Sequence, residues 1–144
     1  MKKTLPVLCA LLLSLFALEA MAQEHYTEGP VWRVTLIRVK AGQEDAYMAS
    51  LRESTKPLLE EQKKEGLILD YKVFLKETSE NAQDWDVAVC VLYKNHAALD
   101  GLTAKSEAVR DKVSSKQAMQ QISTKRVEMR EIVSSTLIQE INLK

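Results

Sequence analysis

The chain has little cysteine, little glycine and no surplus of either charge. Its 144 residues hold two cysteines, four glycines and three prolines, with 20 basic against 20 acidic side chains. That balance removes the electrostatic pull that nucleic acid or an anionic membrane requires. There is no Gly-rich phosphate loop, no CxxC and no HExxH, so the usual phosphate, redox and zinc signatures are missing. Cys9 falls in an N-terminal apolar run and Cys90 sits between Val89 and Val91. With Cys90 alone beyond that run, no intrachain disulfide can form in the folded part. A cysteine flanked by valines reads as a small buried hydrophobe, because a reactive thiol needs exposure and a nearby base.

The one long apolar run, Leu5–Leu18, falls short of the roughly 20 residues a membrane span needs. Lys2 and Lys3 precede it and Ala20-Met21-Ala22 comes after it. This is the order of a secretory signal peptide cut after Ala22. The expectation is a signal peptide over residues 1–22 and one domain over residues 23–144. The protein is then periplasmic or secreted, with no membrane segment after cleavage.

Beyond Ala22 the residue pattern becomes informative. Val31–Lys40, Leu67–Lys76 and Trp85–Tyr93 read as strands, and Ile132–Leu143 as a fourth. Gln23–Pro30 is polar and ends in Gly-Pro, so it reads as a loose lead-in. Between the first two strands, residues 42–65 read as a helix whose buried stripe is Tyr47, Leu51, Ser54 and Leu58. Pro57 lies inside it and should bend it near Thr55–Lys56 without breaking it into separate elements, because Leu58 and Leu59 continue the buried stripe. Gly66 is placed to close it. Asn95 is a good N-cap for a short helix. A further helix is expected over about Lys105–Ser123, with a weak apolar stripe and a solvated side.

The order strand, helix, strand, strand, helices, strand is a split β-α-β, the ferredoxin-like arrangement, α+β in class. The strands are apolar on both faces, but the helices cover only one. The other face, holding Val31, Ile37, Val39 or their neighbours, then calls for a second copy, so a homodimer is expected.

The stretches RVTLIRVKAGQEDAYM, TKPLLEEQKKEG and VLYKNHAALDGL resemble the dimeric α+β barrel superfamily. The likeness is to the antibiotic-biosynthesis-monooxygenase group, and within it to an uncharacterised secreted bacterial branch. It is good over Val31–Tyr93 and loose elsewhere. It implies two sheets joined in one barrel, with a pocket between sheet and helices. Haem-degrading members use an Asn, a Trp and a His. The matching positions here fall near Arg33 or Val34, near Leu102 and near Lys112, so the resemblance does not imply haem degradation.

Candidate ligand-lining residues are Tyr47, Tyr71, Trp85, Tyr93 and His96. Aromatics of this kind more often fill a core, and a single histidine at a helix start is more often a surface residue. No cofactor is implied. After cleavage, Gln23, Glu24 and His25 could offer copper four nitrogens in a plane, provided the N-terminal Gln does not cyclise. Two functions fit this pattern. One is a binding or structural module with a small apolar ligand. The other is a cofactor-independent monooxygenase or isomerase acting on a small apolar or aromatic substrate. A roomy pocket beside His96 favours the enzyme, and His96 in water favours the module.

Overall fold

The computed structural model describes residues 25–144. The signal-peptide expectation, with Gln23 and Glu24 of the copper expectation, lies outside them. Two compact units are distinguished, Pro30–Gln139 and a small one made of residues 25–29 with Glu140–Lys144.

The elements run β1 (Tyr26–Val39), α1 (Glu44–Ser50), a π-helical turn (Leu51–Thr55), α2 (Lys56–Lys64), β2 (Asp70–Leu75) and β3 (Val87–Tyr93). A 3-10 turn (His96–Leu99), α3 (Leu102–Val113), α4 (Lys116–Met129) and β4 (Arg130–Leu143) complete the chain. The four strands form one antiparallel sheet in the order β2-β3-β1-β4, which is ferredoxin-like and α+β. β1 runs against β3 from Val31 opposite Tyr93 to Ile37 opposite Val87. β3 also pairs with β2, from Asp70 opposite Leu92 to Leu75 opposite Val87.

Alternation along the strands assigns the faces. Ile37 and Val87 pack with Tyr47, Leu51 and Met129 in one buried cluster. Val91 and Tyr93 pack with Leu59 and Ile68 in a second. Val31, Ile37 and Val39 therefore belong to the helix-covered face. Their neighbours Trp32, Val34 and Leu36 belong to the other.

Three details depart from the sequence expectation. First, β1 begins at Tyr26, so Tyr26–Pro30 is strand and not a loose lead-in. Pro30 lies just outside the stretch paired with β3, where an absent N–H costs no ladder bond on that side. Gly29 suits this position because a Cβ would press against Glu140 at 3.0 Å. Second, the expected helix over Lys105–Ser123 is two helices. Ser115 is extended and its hydroxyl accepts from Ala118 N–H at 3.1 Å, capping α4.

Third, the helical region runs on unbroken through Pro57, but with a π turn before it that the sequence did not announce. Backbone angles stay helical through Ser50, Thr55 and Lys56, and the turn before Pro57 is widened. A proline ring clashes with the carbonyl four residues back, and a π turn relieves such a clash. The extra residue moves the buried stripe, so Leu59 enters the core beside Ile68 and Leu58 stands half-exposed. Gly66, at φ +73°, then closes α2, with Leu67 N–H bonded to Gln62 O at 2.9 Å.

Candidate functional site

α2, α3, α4 and the start of β4 enclose a groove of about 950 Å³. Leu58, Met119, Ile122 and Ile132 give it apolar walls. Glu107, Arg110 and Asp111 line it from α3, and Arg126 and Arg130 from the junction of α4 and β4. Glu107 and Arg110 pair with each other at 3.4 Å.

Arg126 is anchored on the π turn. Its Nη2 donates to Ser54 Oγ at 2.8 Å and to Thr55 Oγ1 at 2.6 Å, and its Nε donates to Ser50 Oγ at 3.4 Å. Ser54 donates in turn to the Ser50 carbonyl at 2.5 Å. An ordinary α-helix places residues four apart on one side. The wider π turn adds the residue five along, so three hydroxyls converge on one guanidinium. All three are neutral. Burial, with the charge of Arg130 nearby, holds Arg126 below the usual arginine range.

Arg130 stacks over Tyr47, its guanidinium carbon 5.7 Å from the ring centroid. Its Nε is buried and has no acceptor. Among the described residues, no carboxylate forms an ion pair with Arg126 or Arg130. Burial pushes the Tyr47 phenol up, opposed in part by these two arginines.

The five residues singled out in the sequence are dispersed. Tyr47 is fully buried in the first cluster, directly beneath Arg130. Tyr93 is buried in the second cluster, where Arg33 lies 5.3 Å from its ring centroid and donates to its hydroxyl at 3.3 Å. Tyr71 packs on that cluster and donates to Glu60 at 2.5 Å, which pushes its pKa up to about 12. Trp85 lies before β3 with Lys76 5.2 Å above its ring. His96 is exposed in the 3-10 turn that Asn95 caps. None of the five is among the groove-lining residues.

Arg126 and Arg130 went unnoticed in the sequence. The available signal was two arginines four apart at the C-terminal end of a helix, masked by the Lys, Gln and Ser around them. Cys90 is buried, and burial raises its thiol above the ordinary value. Among the described residues, no group of three or more His, Cys, Asp or Glu is placed to hold a metal ion. His25 is exposed, and its carbonyl accepts from Lys144 N–H at 3.0 Å. No helix among the described residues is long and apolar enough to cross a membrane.

No family model matches the chain, and no curated protein matches it either. Solved structures do. HapK from Hahella chejuensis aligns with a TM-score of 0.51 at 11% identity, over 76% of this chain and 91% of that one. A NIPSNAP family protein of unknown function from Agrobacterium tumefaciens gives 0.49 at 13% identity, over 83% and 92% of the two chains. A dimeric protein of unknown function and ferredoxin-like fold from Bacteroides fragilis gives 0.45 at 13% identity, over 80% and 98%. At such identities a likeness speaks for fold alone. The fold of this chain is a ferredoxin-like α+β sandwich of one sheet and one helical layer.

Proposed function

We propose that this protein is a secreted or periplasmic homodimer that binds a small organic ligand in the groove between its helices and β4. The groove carries this reading. It is large enough for a drug-sized molecule, and it sets an apolar wall of Leu58, Met119, Ile122, Val127 and Ile132 against a polar and charged one that includes Lys116 and the two arginines. His96 stands in solvent and does not line the groove, which supports a binding module over an acid–base enzyme.

The dimer reading rests on the sheet face that the helices leave open. Trp32, Val34, Leu36, Phe74 and Leu92 lie there, around Ala88 and Cys90. Phe74 is 49% exposed. Charged groups edge this patch, with Arg38 bound to Glu131 at 3.1 Å, Lys72 over Trp32, and Lys76 paired with Asp84. An apolar centre with a charged rim is interface anatomy. A second copy applied face to face closes both sheets at once, as in the dimeric α+β barrels of the antibiotic-biosynthesis-monooxygenase kind that the sequence resembles.

Native mass spectrometry of protein purified from its own source tests both statements. The expected spectrum is a dimer of chains beginning at Gln23 that carries added small-molecule mass. A monomer overturns the sheet-to-sheet reading. A dimer that is always empty and releases nothing on denaturation overturns ligand binding.

A further inference from the structure

We propose that Arg126 and Arg130 form an oxyanion-recognition end of the groove, so that the ligand is an organic acid. Its carboxylate or comparable oxyanion meets the two guanidiniums, and its apolar body lies along Met119, Ile122 and Ile132. This deepens the groove reading and rests on it.

The charges of Arg126 and Arg130 repel each other across the α4–β4 junction, and partial burial sharpens the repulsion. Folds normally settle such a pair with a carboxylate. Here Arg126 is held only by the neutral hydroxyls of Ser50, Ser54 and Thr55. Arg130 is held only by the face of Tyr47, and its buried Nε lacks any acceptor. A buried donor without a partner is costly, so the chain's own acceptors leave Arg130 unsettled. The three hydroxyl bonds take Nε and Nη2 of Arg126 and leave its Nη1 donors for an oxyanion, with which a guanidinium makes strong charged hydrogen bonds.

The rest of the groove gives the acid a direction. Glu107 and Asp111 line it from α3. Glu107 is engaged by Arg110, but both carboxylates repel an anion placed near them. The α4–β4 end is therefore the favourable one for the charge. The tie from Arg126 to the π turn fixes one guanidinium before any ligand arrives, which lowers the ordering cost of binding.

The test uses the intact mature protein and two fluorescent probes that share an aromatic frame, 1-anilinonaphthalene-8-sulfonate and the neutral N-phenyl-1-naphthylamine. Both should bind, and filling the groove by Ile122→Trp should abolish both. Arg130→Met should weaken the sulfonate probe by about tenfold or more, the worth of one charged hydrogen bond, and leave the neutral probe within about twofold. Arg130→Lys should restore part of the loss, and Lys112→Met should change nothing. In the unmodified protein, rising salt should weaken the sulfonate probe alone. This salt comparison decides the matter should Arg130→Met fail to fold. Two results overturn the oxyanion end and leave the groove standing: equal salt response of the two probes, or an unchanged sulfonate affinity in a folded Arg130→Met. If neither probe binds, or both persist in Ile122→Trp, the groove reading fails and this inference with it.

Discussion

The two faces of β3 belong to one strand, yet they are built to opposite plans. Toward the helices, Val87, Val91 and Tyr93 put bulk at the centre of the sheet and are buried by the chain's own side chains. On the other side, Ala88 and Cys90 keep the centre low, and the bulk stands on the neighbouring strands as Trp32, Val34, Leu36 and Phe74. Ala88 and Cys90 are still buried within the single chain. The first face is closed from within. The second sets small buried residues at its centre and larger, partly exposed ones around them, a dish-like arrangement. Apolarity on both sides of the strand thus marks two distinct faces, and side-chain size separates the core face from the open one.

Substitutions can separate the two plans, and the largest effect is expected on the helix-covered side. Tyr47→Ala removes a fully buried ring from the first cluster and the platform under Arg130. Urea unfolding should show a loss of about 3–5 kcal/mol. A loss under about 1 kcal/mol would mean that the cluster is not the core.

On the open face the same kind of insult should dissociate and not unfold. Val34→Glu places a charge in the dish opposite Cys90. Sedimentation at micromolar concentration should show monomer, with circular dichroism unchanged, whereas Lys112→Glu should remain dimeric. Alkylation of Cys90 adds a second readout. The thiol should react slowly both in the native dimer and in a folded Val34→Glu monomer, because the single chain already buries it and burial keeps it protonated; fast reaction would show that the variant has unfolded.

A smaller effect is expected where the helical layer is tied together. Arg126→Met loses the bonds to Ser54 and Thr55, and should cost about 1–2 kcal/mol in the same unfolding assay. Ser54→Ala should cost less, since Thr55 remains.

The smallest effect is a pH dependence at the surface. Lys112 donates to Glu65 at 2.7 Å and holds that carboxyl below its ordinary 4.5. A carboxyl depressed in the folded state adds stability above its ordinary value, and that contribution fades as pH falls through the lower folded value. Lys112→Met should flatten this acid limb of a stability–pH curve and leave neutral pH little changed. An unaltered acid limb would show that the pair contributes nothing there.

Much of the fold was legible because period-two and period-3.6 patterns count local geometry. Leu67–Lys76 and Trp85–Tyr93 are short runs rich in β-branched, aliphatic and aromatic residues, and β2 and β3 lie within them. Tyr26–Pro30 was missed because Gly-Pro is a stop signal in isolation, whereas here the close approach of Glu140 favours a glycine. The division at Ser114 and Ser115 was missed because a polar helix surface looks the same with or without a cap. The groove was least legible. Arg126 meets Ser50, Ser54 and Thr55 across more than seventy residues of chain, and no window of sequence contains both partners.

The π turn carries one further consequence. A helix is a counter, and each residue advances its phase by about 100°. The residue added in Leu51–Thr55 resets that count for everything up to Gly66. Leu59 thereby faces the core, and Leu58 is left to the groove wall. Deleting one residue within the turn would therefore do more than shorten it. The remainder of α2 would rotate by one step, exchange the roles of those two leucines and withdraw one hydroxyl from Arg126. The same small defect in regularity thus sets both the fit of the core and the aim of the charge, and neither can be retuned without the other.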